Sequence, residues 1–297
     1  MTCDLIEIGP RDTKGHEAFF RFTEEAFTDV SFRLWADRGG WDDRFTVFAM
    51  LLDGEIVSTI ARTAMRLIVD GMTVDAYQLG AVATRRDMRG RGHLRHLMTH
   101  ILALPPLDDR PVFVFGNASV TDLYQRFGFE RIEQRAFSLD RATNAHAAHA
   151  LPVLDMASPQ DRLTLKAMAA TSAPLSQDFC AIDYFPIMLW HLTYFGQQAR
   201  RIAERNAAVI VSQTGANLKI HDVIAPEPFA LDPYFDGLAL SDCNAVSFGF
   251  DPTSWLESES IDRLRMAPDD GNANPFFARG RPSPHGRVTH YPELAKT

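Results

Sequence analysis

The chain has 297 residues, 46% of them apolar, with 38 acidic against 30 basic residues and a net charge of −8. That supports a sizeable core and one large or two modest domains. The acidic balance, with no basic patch interleaved with aromatics, argues against nucleic acid or an anionic membrane as partner.

Taken in chain order, Asp4 to Ile8 alternates like a first strand, and Glu17 to Phe27 carries aromatics at helical spacing. The Gly39-Gly40-Trp41 segment breaks that pattern. Phe45–Leu52 and Glu55–Ala61 read as strands joined by a tight Asp53-Gly54 turn. Arg66–Val69 and Thr73–Leu79 repeat the device around Asp70-Gly71. A strand-like run from Tyr77 to Thr84 then leads into Arg89-Gly90-Arg91-Gly92-His93-Leu94. Beyond it, Leu94, Leu97, Met98, Ile101 and Leu102 mark one face of a helix.

The Gly-Arg stretch therefore occupies a strand-to-helix turn. Free backbone N–H groups and the positive end of the helix dipole make such a turn receptive to an anion. Glycine at 90 and 92 keeps Cβ atoms out of the way, and Arg89, Arg91 and Arg95 add charge suited to phosphate. A pyrophosphate cradle is one reading; a basic surface turn whose glycines only reverse the chain is the other. Neither G-x-x-x-x-G-K-[ST] nor G-x-G-x-x-G is present.

Pro111–Phe115 is a compact buried-strand run, followed by Gly116-Asn117-Ala118-Ser119 and by Val120, Leu123, Tyr124 and Phe127 at helical spacing. Ser119 with Asp122 reads as a helix cap, and Gly128 as the residue that ends the helix.

These two segments, in this order, resemble the GCN5-related N-acetyltransferase (GNAT) superfamily over roughly residues 1 to 140. Its acyl-CoA signature, R/Q-x-x-G-x-G/A, is met by Arg89 to Leu94 except that leucine stands last. The leucine version, and the run Val82-Ala83-Thr84-Arg85-Arg86-Asp87-Met88-Arg89, are similar to the enhanced intracellular survival family of aminoglycoside acetyltransferases, which are tandem proteins. The family segment N-x6-Y-x3-G-F is matched by Asn117, Tyr124, Gly128 and Phe129. The resemblance implies an α/β GNAT fold with a mixed sheet over residues 1–142. It implies a strand, Val82-Ala83-Thr84, whose backbone meets the pantetheine arm of acetyl-CoA. It also implies a CoA site formed by Arg89, Gly90, Arg91, Gly92, His93, Leu94, Arg95, Asn117 and Ser119, and Tyr124 as the acid that protonates the departing thiolate. On its own, without the upstream loop, Tyr124 reads as a core aromatic on an apolar helix face.

Residues 141 to 157 form a polar, Ala-rich bridge. Past it, Ser158-Pro159 opens a helix, and Tyr184 to about Arg201 reads as a strongly aromatic helix that must be covered. Ala207–Ser212 and Leu218–Ala225 suggest a hairpin around Thr214-Gly215, followed by a short helix near Pro233–Leu240 and a strand at Ala245–Phe250. Residues 155–297 are expected to be an α+β half, either a degenerate GNAT-like copy without a CoA site or a plain extension. Cys3, Cys180 and Cys243 form no close pair, there is no C-x-x-C or H-E-x-x-H, and His146 and His149 sit in an Ala-rich linker. No disulfide and no metal are predicted. No basic-then-apolar leader and no membrane-length apolar run occur, so a cytoplasmic protein is predicted.

The expected reaction is transfer of an acetyl group from acetyl-CoA to a primary amine of a small molecule. A catalytically silent acyl-CoA-binding regulator is the alternative, and a homodimer is left open. An amine of pKa roughly 10 is mostly protonated at neutral pH, so freeing it costs about 4 kcal/mol. Backbone N–H groups near Val82 to Thr84 are expected to stabilise the oxyanion. The base is unassigned: Asp75, Glu55, Glu24, Glu25, Asp29 and the carboxylate of Thr297 are the candidates.

Overall fold

Two Asp-Gly turns set up the meander that opens the chain. The computed structural model describes residues 3–27, 30–105, 110–116, 121–143, 150–269, 274–280 and 290–297. Strand β1 (Cys3–Ile8) is followed by α1 (Thr13–Ala26), where the Asp12 carboxylate accepts the Gly15 N–H at 2.9 Å. Helix α2 (Phe32–Asp37) follows, capped by Ser31. Strands β2 (Phe45–Leu52), β3 (Glu55–Val69) and β4 (Met72–Thr84) are joined by turns whose central residues all have positive φ: 50° and 87° at Asp53-Gly54, 49° and 75° at Asp70-Gly71. That geometry matches the twist of the flanking strands. The runs 55–61 and 66–69, which read as two strands, are one. Arg62 does not interrupt β3 because its guanidinium lies over the rings of Phe48 (5.2 Å) and Tyr77 (5.1 Å).

Next come α3 (His93–Leu102), β5 (Val112–Phe115), α4 (Thr121–Gln125), β6 (Glu130–Ile132) and β7 (Gln134–Thr143). Helix α4 ends where Gly128 (φ 79°) donates to Gln125 O and Phe129 to Tyr124 O, a left-handed cap that only glycine takes without strain. The second half continues with β8 (Val153–Leu154), α5 (Pro159–Ala169), β9 (Phe179–Ile182) and α6 (Phe185–Tyr194). Then follow β10 (Gln198–Ile202), β11 (Ala207–Thr214), β12 (Asn217–Ile224), α7 (Phe235–Leu238), β13 (Cys243–Phe248), α8 (Ser258–Asp262), β14 (Arg265–Asp269) and β15 (Phe276–Arg279). The aromatic helix is shorter than its pattern suggests. Gly196 (φ 69°) turns the chain, and residues 198–202 pair with β11 as a strand.

Two sheets result. The first runs β1-β2-β3-β4-β5-β15-β6, with β9 on the far part of β3; the second runs β14-β7-β13-β12-β11-β10-β8. Each is an antiparallel meander that meets one parallel neighbour, β4–β5 in the first and β12–β13 in the second. Both are then extended by an exchanged strand. β15, from late in the chain, pairs with β5, and β7, from the first half, pairs with β13. The fold is thus a mixed α/β half joined to a second α+β half built on the same sheet plan. One apolar cluster, including Leu67, Phe113, Leu189, Ile210 and Tyr291, spans both.

The strand before each parallel pair carries a bulge of one extra residue. In β4 it falls between Gly80 and Ala83, opposite Thr59–Ala61 of β3; in β12 it is at His221, opposite Ile210–Val211 of β11. Beyond the bulge the parallel neighbours part. β4 and β5 pair only over residues 77–79, and β12 and β13 only over 217–220.

Residues 290–297 link the two partings. Glu293 enters the second: its N–H donates to Gly249 O at 2.8 Å, and its carboxylate accepts from Lys219 Nζ (2.8 Å) and His221 Nδ1 (2.9 Å). Burial alone would push this carboxyl up, but those two partners outweigh it and hold it well below the usual range. Tyr291, Leu294 and Ala295 are fully buried. At the first parting, the Gln78 amide donates to Ala295 O (2.9 Å) and accepts from the Thr297 N–H (3.3 Å), a side chain acting in place of a paired strand.

Candidate active site

The first parting opens into a cavity of about 1330 Å³ that passes from one face of the first sheet to the other. On one face lies α3, packed through Leu97, Met98 and Ile101 against Phe48 and Val57. On the other lie α1, α2 and α6, packed around Val47, Ala49 and Ala61. Tyr77 to Thr84 read as strand because they fill the centre of this sheet, and the bulge turns Ala81 to φ 45° just where β5 departs.

The Gly-Arg turn forms one end of the cavity. Gly90 (φ 77°) and Gly92 (φ 86°) both need left-handed backbone, and Gly92 is the N-cap of α3. A Cβ at either would meet nothing within 4 Å, so conformation rather than space requires glycine there. Arg89, Gly90, Arg91, Gly92, His93, Leu94 and Arg95 all line the cavity. Arg85 is held by Asp87 at 2.8 Å, and Arg89 donates to Thr84 O at 3.2 Å. Arg91 and Arg95 make no ion pair among the described residues, so their charge is available to an anion.

Val82, Ala83 and Thr84 line the middle of the cavity. The Arg85 N–H bonds to Val57 O on β3, so by strand alternation Thr84 and Val82 turn their backbone groups to the side that β5 has left. Ser58 and Thr59 hold this stretch through the carbonyls of Ala83 (3.0 Å) and Ala81 (2.9 Å).

Tyr124 also lines the cavity, from α4, with its ring against Phe129 and Phe277. Burial pushes its phenol up to about 12. It therefore stays protonated at neutral pH and can act only as a proton donor there. Asn117 and Ser119, the other residues expected on this segment, lie outside the described residues, as do His146, His149 and Asp29.

The structure sorts the candidate bases by position. Asp75 is paired to Arg110 at 3.2 Å and, like Glu55 and Glu24, lies off the cavity. Glu25 lines it. Thr297 lies at the parting, so close to Gly80 that a Cβ there would come within 2.5 Å of its Oγ1.

Of the rest of the wall, the sequence marks the aromatic helix with Tyr184 and Trp190 as one to be covered by the first half, another subunit or the acceptor pocket, but not Phe32, Trp35 or Phe45. Phe32, Trp35, Phe45, Tyr184, Ile187 and Trp190 surround the far chamber, with Asp42, Arg44 and Asp183 beside them. The pairing of Thr63 with Phe45 and of Ser58 with Thr84 puts this chamber five residues along β3 from the Gly-Arg end, about 17 Å at the usual strand rise. The spacing of Phe32 and Trp35 was a usable signal, since both fall on one helix face. Aromatic helix α6 covers the chamber: the Trp35 indole N–H donates to Pro186 O at 2.8 Å, and the Trp190 ring lies tilted, 4.6 Å from that of Phe32. Behind the chamber the Tyr184 hydroxyl donates to Asp222 Oδ2 at 2.6 Å, and burial pushes that carboxyl up to about 7.

Among the described residues, no helix is long and apolar enough to cross a membrane, and no cluster of three His, Cys, Asp or Glu side chains is arranged to hold a metal. Cys180 and Cys243 are buried free thiols.

The family model described as an acetyltransferase (GNAT) domain matches residues 8–132. Several solved structures share the fold over nearly the whole chain. A conserved protein from Enterococcus faecalis is 14% identical, with TM-score 0.61, covering 94% of this chain and 72% of its own. Eis1 from Mycobacterium abscessus is 15% identical, with TM-score 0.57, covering 94% and 73%. A GCN5-related N-acetyltransferase from Kribbella flavida is 14% identical, with TM-score 0.55, covering 95% and 71%. No curated protein matches the sequence. The bulged fourth strand, the parting and the glycine-capped third helix all lie within the residues that match this GNAT domain model, and the solved structures share the fold that carries them.

Proposed function

We propose that the protein transfers an acetyl group from acetyl-CoA to the primary amine of a small molecule. The observation that carries the reading is the continuous cavity, with a glycine-capped helix N-terminus at one end, Tyr124 in its wall and an aromatic chamber on the opposite face of the sheet. A bound CoA thioester would supply the activated acyl group; its C–S bond breaks as the amine nitrogen bonds to the carbonyl carbon, and the amine gives up a proton as the thiolate gains one. The N–H groups at the start of α3, with Arg91 and Arg95, would hold the diphosphate. The released backbone of Val82 and Thr84 would align the pantetheine arm and stabilise charge on the carbonyl oxygen. Tyr124, kept neutral by burial, would return the proton to sulfur.

The CoA site belongs, in this reading, to residues 1–142, while residues 155–297 contribute chamber wall through α6 and bind no second CoA. The setting proposed is the cytoplasm. Tyr124→Phe tests the assignment, because it keeps the ring packing and removes the proton. Turnover followed by thiol release should fall about 10²-fold with CoA affinity unchanged. Turnover equal to that of the unaltered protein would make Tyr124 a packing residue.

A further inference from the structure

We propose that the far chamber selects a monoamine carried on an apolar body of aromatic size and discriminates against polycations. The proposal rests on the acyl-transfer reading above and names its acceptor.

Three elements converge to make the wall aromatic. Phe32 and Trp35 come from α2, Phe45 from β2 and Trp190 from α6, with ring centroids 4.6 Å apart for Phe32–Trp190, 5.0 Å for Trp35–Phe45 and 6.0 Å for Trp35–Trp190. Two polar handles of this wall are already engaged: the Trp35 N–H on Pro186 O and the Tyr184 O–H on Asp222. A hydroxyl-rich ligand finds few partners there, whereas an apolar ring is drawn out of water by the full face of the wall.

The charges point the same way. Asp42 and Asp183 are the carboxylates beside this wall, and they share one cation: Arg44 Nη2 lies 2.7 Å from Asp42 Oδ2, and Arg44 Nη1 lies 3.2 Å from Asp183 Oδ2. The trio has a net charge of −1. Of the other lining residues, Glu25 interacts with Arg85 at the Gly-Arg end, and Thr297 lies at the parting, beside Gly80 rather than against the aromatic wall. One ammonium group can be balanced here, helped by the aromatic faces. Each further ammonium of a polycation would lose hydration against an apolar wall without a free counter-charge.

The test uses the full-length protein, saturating acetyl-CoA and thiol release, with 2-phenylethylamine, spermidine and kanamycin as acceptors. kcat/KM should be about tenfold or more higher for 2-phenylethylamine than for either polycation. Trp190→Ala should lower kcat/KM for 2-phenylethylamine roughly tenfold to a hundredfold, mainly through KM, the scale of removing one aromatic wall. CoA affinity measured by calorimetry on the same preparation should be unchanged, which also reports that the variant is folded; Trp190→Leu serves if the alanine variant is not. Higher kcat/KM for spermidine or kanamycin, or no effect of both Trp190 variants, overturns this proposal and leaves acyl transfer standing. CoA binding without thiol release to any amine overturns both.

Discussion

The two sheets share a plan, and the difference between their crossovers shows where a binding site comes from. In both, a bulged strand parts from its parallel neighbour. In the first, the crossover from β4 to β5 contains α3, ten residues long and opened by Gly90 and Gly92 among arginines. In the second, the crossover from β12 to β13 contains only a three-residue 3-10 turn and the four-residue α7, with acidic residues at their starts. Four residues are too few to present a full set of free N–H groups with an aligned dipole. The second parting is also closed, because Glu293 occupies it. The same backbone plan thus gives a cleft in one half and a plugged joint in the other.

The sharpest way to break this comparison is to remove the plug. Deletion of residues 290–297 takes away the fully buried Tyr291 and Leu294 together with the Glu293 network. Loss of two such side chains destabilises by about 5 kcal/mol or more. Urea denaturation should show a protein barely folded or insoluble; a midpoint close to that of the intact chain would mean the segment only decorates the joint.

Two glycines sharpen it further. A Cβ at Gly249 would stand 2.7 Å from Glu293 Oε2 and 3.0 Å from the backbone oxygen of His221, so both plug and strand must shift. A Cβ at Gly80 meets the exposed residue Thr297, which can move. Gly249→Ala should lose roughly 1–3 kcal/mol, as overpacked interiors do, and Gly80→Ala clearly less. Gly80→Ala should instead alter KM for the acceptor by pushing Thr297 into the cavity. Equal stability losses in thermal melts would erase the distinction between plugged and open parting.

The smallest effect at neutral pH comes from the buried carboxyls, which act in opposite directions. Glu293 is depressed, so its contribution is present above the ordinary carboxylate range and fades as pH falls below it. Asp222 is raised to about 7 by burial, so its neutral form is favoured, and stability is lost as pH rises from about 4 through 7. Asp222→Asn should flatten the alkaline side of a stability profile and leave the acid side unchanged. An unchanged alkaline side would remove Asp222 from the account.

Local signals made much of the first half legible. The Asp-Gly turns, the Gly-Arg turn before an apolar helix face and the Gly128 cap each fix their own backbone, so short stretches of sequence suffice to locate them. The exchange of β7 and β15 between sheets was not legible, because strand pairing across more than a hundred residues leaves no mark on periodicity. The end of α6 was misplaced because the short run Gln198-Ala199-Arg200-Arg201-Ile202 fits helix or strand alike, and Gly196 decides between them. The part of the chamber wall outside the aromatic helix was missed for a similar reason. Phe32, Phe45 and Trp190 meet only after three elements have packed, and Arg44 acquires the second of its two carboxylates from Asp183, 139 residues away.

The central claim is that one parting holds CoA and the other does not. Calorimetric titration of the full-length protein with acetyl-CoA tests it directly. One molecule per chain is expected, with Arg91→Ala weakening binding by about 1.5–3 kcal/mol, the scale of a hydrogen bond to a charged group. Two molecules per chain, no binding, or an Arg91→Ala affinity equal to that of the unaltered protein would contradict the account.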